Sequence, residues 1–220
     1  MLIITLLYIA ATAFFIIFLF IIILIISILQ NSGKWNGKSL DENLGMPAKK
    51  AKFENINNMS KAQLMQVFYS APAPATKKLK GEIWGMAPAT GIFYPFAIFF
   101  LTFFYGQGSK WIGKAFRPDS SPKNPDYNLF RHKNEKKIQR KRLMDVYIKE
   151  SNIDKNKSLH LDYSAYNNIP TKLIRDEVRE INSELYIGMG YLLIPLGWLN
   201  PIPFILHGKF RPWVGPDEQA

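Results

Sequence analysis

From Leu2 to Leu29 the chain carries no charged residue, and Leu, Ile and Phe dominate. As a helix rising about 1.5 Å per residue, this run would reach roughly 42 Å, more than the ~30 Å hydrocarbon core of a bilayer. A cleaved signal peptide would place a basic segment before a shorter apolar stretch and a small-x-small site after it. Nothing basic precedes this run, and it ends Ile28-Leu29-Gln30-Asn31. The segment 1–29 therefore reads as a retained transmembrane anchor. Lys and Arg mark the cytoplasmic side of such helices. Lys34, Lys38, Lys49, Lys50 and Lys52 all follow the run. The expected topology is single-pass, with the N-terminus outside and the remainder cytoplasmic.

That remainder is basic and globular in composition. The 220-residue chain is 48% hydrophobic and 20% charged, with a formal net charge of +11, which excludes general disorder. With no cysteine, disulfides, thiolate metal sites and cysteine nucleophiles are excluded. Residues 30–59 read as a polar linker, because Gly33, Gly37, Gly45 and Pro47 break any apolar period. Residues 60–213 form the expected domain and 214–220 a tail. Ser60 is placed to cap a short helix whose stripe is Leu64, Val67 and Phe68, stopped by Pro72 and Pro74.

Lys80-Gly81-Glu82-Ile83-Trp84-Gly85 reads as a first strand and opens an uncharged stretch from Ile83 to Ser109. Pro88, Gly91 and Pro95 interrupt its front half and leave Phe96–Tyr105 as a helix of about 15 Å, half a bilayer core. Three fates are open to it: a full span, a membrane-facing or re-entrant element, or a buried core helix. A third uncharged run, Leu185–Leu206, is cut by Gly188, Gly190, Pro195, Gly197, Pro201 and Pro203 and suits strand–turn–strand. Alternation places Leu159, Leu161 and Tyr163 on one face of a strand and Ser158, His160 and Asp162 on the other. Arg142–Ile148 and Phe204–Phe210 are further strands, and Thr171–Ile181 is a candidate short helix. The fold class is mainly β (α+β): a transmembrane helix, then a curved antiparallel sheet or lipocalin-like barrel with short helices.

The order of these features is familiar. After the first strand come Trp111-Ile112-Gly113-Lys114-Ala115-Phe116, Asn128-Leu129-Phe130, Leu161-Asp162-Tyr163-Ser164 and Glu184-Leu185-Tyr186-Ile187-Gly188. Over roughly residues 60–210 this resembles small bacterial proteins with a Gly-x-Trp-x-Gly strand, a lipocalin-like or nitrobindin-like family. Here Trp84 stands one place later than in that pattern. A shift by one flips a strand side chain to the other face, so Ile83 would point inward and Trp84 outward. The resemblance implies a barrel holding an apolar ligand, or haem in the nitrobindin-like branch. No cofactor is otherwise expected; His160 or His207 would be the axial candidates for haem.

The candidate ligand-binding or membrane-facing residues are aromatic: Phe93, Phe96, Phe99, Phe100, Phe103, Phe104, Trp84 and Trp111. As a helix, Phe96–Tyr105 is hydrophobic all round, so it needs cover from core, bilayer, ligand or partner. The second candidate surface is Arg131–Arg142, with seven basic side chains against Glu135 alone. Arg131, Lys133, Lys136, Lys137, Arg140, Lys141 and Arg142 would suit anionic lipid at about 1 kcal/mol each, or would simply be solvated. Without an aromatic platform among them, nucleic acid is not expected as a partner. Ser158, His160 and Asp162 share a strand face and point in parallel, which does not make a triad. Asp176, Glu177 and Glu180, alternating with Arg175 and Arg179, read as a solvated helix face. The expected work is non-catalytic: binding a lipid-like or other apolar ligand at the bilayer surface, with membrane lipids, anionic ones foremost, as partners. The alternatives are a structural accessory subunit bound to membrane-protein partners and, more weakly, a lipid-modifying enzyme.

Overall fold

The computed structural model describes residues 2–118, 125–132 and 137–217. The apolar run forms one helix, α1 (Leu2–Leu29), exposed along nearly all its length and long and apolar enough to cross a membrane. Eight strands then close an antiparallel barrel in which each strand pairs with its sequence neighbours and β8 returns to β1. They are β1 (Gly81–Met86), β2 (Ser109–Phe116), β3 (Asp126–His132) and β4 (Ile138–Glu150). The second half comprises β5 (Lys157–Asp162), β6 (Ile174–Asn182), β7 (Leu185–Leu192) and β8 (Ile202–Arg211). Closure removes both sheet edges, and alternation gives the barrel an inner and an outer face. The expected strand–turn–strand over Leu185–Leu206 is β7, a 3₁₀ turn and β8.

The inner core includes Ile83, Phe116, Phe130, Met144, Leu159, Leu161, Tyr163, Val178 and Tyr186. The outer face of β7 and β8 is covered by helices. α4 (Lys61–Ser70) starts at a capping box in which Ser60 Oγ accepts from the Gln63 amide and Gln63 Oε1 from that of Ser60. Its stripe Leu64, Val67 and Phe68 packs with Ile187, Met189 and Ile205. Residues 30–59 differ from the expected linker. They carry α2 (Leu40–Leu44) and α3 (Phe53–Asn57), and Leu44, Ala51 and Ile56 are buried in the same outer cluster. Each short helix offers too few apolar positions to show a period, yet one buried side chain from each suffices to dock it.

Thr171–Ile181 also departs from expectation. Only Thr171–Leu173 is helical, as a 3₁₀ turn, and the rest is β6. Ile174 and Val178 face the barrel interior, whereas Ile181 joins the outer cluster. A strand covered on both faces buries its charges too, so Asp176, Glu177, Arg175 and Arg179 are not solvated: none is more than 6% exposed. Arg179 shows how this is tolerated. Its guanidinium bonds Asp154 and the Phe68 carbonyl and stacks on the Phe68 ring.

A meander alternates its connections between the two barrel ends. Segments 87–108, 163–173 and 193–201 therefore lie at one end, here the aromatic end. The first of these carries α5 (Tyr94–Phe100), which runs on into a π-helical turn, Leu101–Tyr105. α1 is locked to this end. Lys61 Nζ donates to the Ser27 carbonyl (3.3 Å), Ser27 Oγ (3.1 Å) and Asn200 Oδ1 (2.6 Å). Gln30 Oε1 accepts from the Ile92 amide at 2.8 Å, and Phe20 meets Phe93 and Phe96 edge to face at 5.9 and 6.0 Å between centroids.

Candidate functional site: an aromatic-walled cavity with a charged floor

Two local features of the strands build the site. β2 bulges between Trp111 and Gly113, where φ is +154°, a conformation that favours glycine. The extra residue turns both Trp111 and Lys114 into the barrel. On β7, Gly188 faces Phe204 so closely that a Cβ there would lie 2.1 Å from the ring. Its missing side chain lets Phe204 lean inward.

The resulting cavity holds about 430 Å³, within the range of small-molecule sites. Its walls and mouth include Phe20 of α1, Phe93, Phe96, Phe99, Phe100 and Phe104. Trp111, Phe204, Gly190, Lys114 and Asp176 line it further in. The lysine and the aspartate meet there. Lys114 Nζ donates to Asp176 Oδ2 (2.7 Å), Tyr163 Oη (2.7 Å) and Asn128 Oδ1 (2.9 Å), which engages all three of its protons. Tyr163 donates in turn to Asp176 Oδ2 at 2.7 Å, and Trp111 Nε1 donates to Asn128 Oδ1 at 3.0 Å. The ammonium also lies 5.1–5.5 Å from the ring centroids of Trp111, Tyr163 and Phe204.

Burial lowers the Lys114 pKa, against the pull of Asp176. Burial and the Asp176 charge push the phenols of Tyr163 and Tyr105 well above their ordinary range, so both stay protonated. The Tyr105 hydroxyl, buried beside Tyr163 and Asn128, makes no well-formed hydrogen bond. The floor is thus one cation, one anion and neutral donors. Sequence reasoning passed over Lys114, Asn128, Tyr163 and Tyr105 as site residues. The one visible signal was a lone lysine inside the run Trp111-Ile112-Gly113-Lys114-Ala115-Phe116, whose other residues are uncharged.

Of the aromatic candidates, Phe103 stands outside the cavity, 60% exposed and packed on Phe99 at 4.8 Å. Phe96, Phe99 and Phe104 are each both lining and exposed. α5 is therefore not a buried core helix. Ile83 faces the inner core, and Trp84 lies outside under the Arg211 guanidinium, 3.4 Å from the ring centroid, with Arg131 at 5.8 Å.

The basic stretch is only partly an open surface. Arg140 Nε pairs with Glu82 Oε1 at 2.6 Å. Lys141 Nζ donates to the Gly106 carbonyl (3.0 Å) and Arg142 Nε to that of Tyr105 (2.9 Å), capping the C-terminal end of the aromatic helix. Lys137 is exposed, and Lys133 and Lys136 lie outside the described residues. Ser158, His160 and Asp162 share the outer face, each bonded elsewhere: to the Val178 carbonyl, the Glu150 carbonyl and Arg175. His160 and His207 do not line the cavity; His207 stacks on Phe53. The haem allowed by the resemblance thus has no axial histidine among the described lining residues, and they do not fit it. No described cluster of His, Asp and Glu suits a metal ion. A second, polar opening of about 480 Å³ lies at the opposite barrel end, rimmed by Lys77, Lys80, Arg117 and Asp126.

No protein-family model and no curated protein matches the chain. A crystal structure of a protein from Thermomonospora curvata is similar with a TM-score of 0.48 and 12% identity, over 69% of this chain and 88% of that one.

Proposed function

We propose that the protein is a membrane-anchored, non-catalytic binding module whose barrel takes an apolar, lipid-like ligand directly from the bilayer. One observation carries this: Phe20 belongs both to the apolar helix α1 and to the cavity wall. A helix of 28 residues exceeds the hydrocarbon core by about 12 Å. If the core begins at Leu29, Phe20 lies about 14 Å deep; if it ends at Leu2, Phe20 still lies about 2 Å inside. Phe93 and Phe96, in contact with Phe20, enter the apolar phase with it. The remaining exposed apolar side chains of the aromatic end agree: Ile92, Phe99, Phe103, Phe104, Ile169, Leu193, Ile194, Leu196 and Leu199. Both chain stretches that supply most of them, Ile83–Ser109 and Leu185–Leu206, lack any charge. Around this apolar cap, Arg131 and Lys137 flank the β3–β4 connection, at the level of anionic head groups in a cytoplasmic leaflet.

A cavity rather than a filled barrel supports binding over a purely structural role as a subunit. The saturated bonding of Lys114 supplies no free nucleophile for an enzyme. The test uses the absence of native cysteine. Nitroxides are attached at Phe15→Cys, Phe103→Cys and Lys155→Cys of the full chain in lipid bilayers. Position 103 should match position 15, open to oxygen and closed to a nickel chelate, with position 155 the reverse. Chelate access at 103 equal to that at 155 refutes insertion of the aromatic end.

A further inference from the structure

The cavity floor also says what kind of head group it accepts, an inference that rests on the ligand-binding reading above. All three protons of Lys114 are committed, as is Oδ2 of Asp176, which accepts from both Lys114 and Tyr163. Two groups are left. Asp176 Oδ1 makes no hydrogen bond and faces the Gly190 backbone, where even a Cβ would come within 2.8 Å. The Tyr105 hydroxyl is buried beside Tyr163 and Asn128 without a well-formed hydrogen bond to either, its ring 5.9 Å from that of Tyr163 and 5.3 Å from that of Phe130. Asp176 and Tyr105 both line the cavity. An orphaned buried polar group in a pocket is one that a bound molecule can satisfy.

The spare pair is thus one acceptor and one phenol. A carboxylate or phosphate head would bring a second anion against Asp176 Oδ1, with Lys114 already neutralised, and like charges in a desolvated site repel strongly. An ester or ketone oxygen accepts from Tyr105 but sets a lone pair against that same Oδ1. A hydroxyl does both jobs: it donates to a carboxylate oxygen and accepts from a phenol. We propose that the cavity selects a neutral apolar alcohol, its hydroxyl held between Asp176 Oδ1 and Tyr105 and its hydrocarbon among Phe99, Phe100, Phe104 and Trp111.

The full chain in detergent is loaded separately with myristyl alcohol, myristic acid and methyl myristate, and retention is read by native mass spectrometry. The alcohol should be retained over both others. Tyr105→Phe removes a hydroxyl that makes no well-formed hydrogen bond in the protein, so thermal stability should hold to within about 1 kcal/mol. Alcohol retention should fall about fivefold, the loss of one hydrogen bond, while retention of the ester stays as it was. Equal retention of all three, or an alcohol signal indifferent to Tyr105→Phe, overturns the head-group assignment and leaves the apolar cavity standing. Retention of none overturns the ligand-binding reading itself, and the assignment with it.

Discussion

Lys114→Met is the perturbation that most directly tests whether the charged floor is dry. Lys114 and Asp176 have side chains 3% and 9% exposed, so their ion pair is shielded from water and sits among aromatic rings. Methionine keeps the length of the stem but leaves Asp176 with the Tyr163 hydroxyl as its one donor. Breaking a buried pair from one side costs about 3–5 kcal/mol, because the surviving charge stays desolvated. At roughly 2–4 °C per kcal/mol for a chain of this size, Tm should fall by about 10 °C. Adding Asp176→Asn removes the orphaned charge, and its amide oxygen still accepts from Tyr163. The double variant should recover most of the loss, a coupling seen only when two residues share one interaction. Thermal unfolding of the full chain in detergent, followed by tryptophan fluorescence, reads both. A single variant that loses less than about 1 kcal/mol would mean that water reaches the floor and screens Asp176. The dry, electroneutral cavity would then be wrong.

Two further outcomes follow from packing and from titration. Gly188→Val places a Cβ where the Phe204 ring now lies, so we expect about 1–3 kcal/mol of overpacking cost and a cavity narrowed by the displaced ring; unchanged Tm with unchanged ligand retention refutes that close approach. Burial lowers the Lys61 pKa to about 8, below its unfolded value, so between about pH 8 and 10.5 the unfolded chain holds more protons and stability rises with pH. The rise amounts to at most about 3 kcal/mol. Unfolding midpoints of wild type minus Lys61→Met across that window should show it; a flat difference would mean Lys61 is hydrated.

Elements whose physics is local could be read from the sequence. α1 is specified by an unbroken apolar run, α4 by Ser60 and Gln63, and the β7–β8 pair by the glycines and prolines that forbid a continuous helix. The apolar character of Phe96–Tyr105 was legible because the stretch carries no charge, and Phe96, Phe99, Phe103 and Phe104 are exposed. β6 was not. Ile174, Val178 and Ile181 fit a helical stripe, and Arg175, Asp176, Glu177 and Arg179 look like its wet face. Only a wall covered outside by α4 and the 151–156 turn, and inside by the cavity, gives each of those charges a partner. The floor of the site was least legible of all. Its members come from β2, β3, β6, the end of β5 and the end of the aromatic helix, so barrel closure alone assembles them. The Gly113 bulge that turns Lys114 inward has no pattern beyond a glycine in a strand.

The clamp on α1 changes what the proposed anchor would do. A flexible 30-residue tether would confine the barrel near the bilayer while leaving its depth and orientation free. Here Ser27, wholly buried, is held by Lys61 and Asn200, and Gln30 by the Ile92 amide, so the helix end and the barrel rim form one unit. A lysine at the last turn also meets the negative end of the helix dipole, which favours its charge at that place. The polar contacts lie within three residues of Ser27 along α1, and the aromatic contacts at Phe20, about two turns deeper. Under the proposed anchoring, the polar bonds would fall at the water side and the ring contacts at the lipid side, the order that a membrane boundary imposes. With that anchoring, the clamp would turn the cavity mouth toward the bilayer whatever the affinity of the barrel surface for lipid.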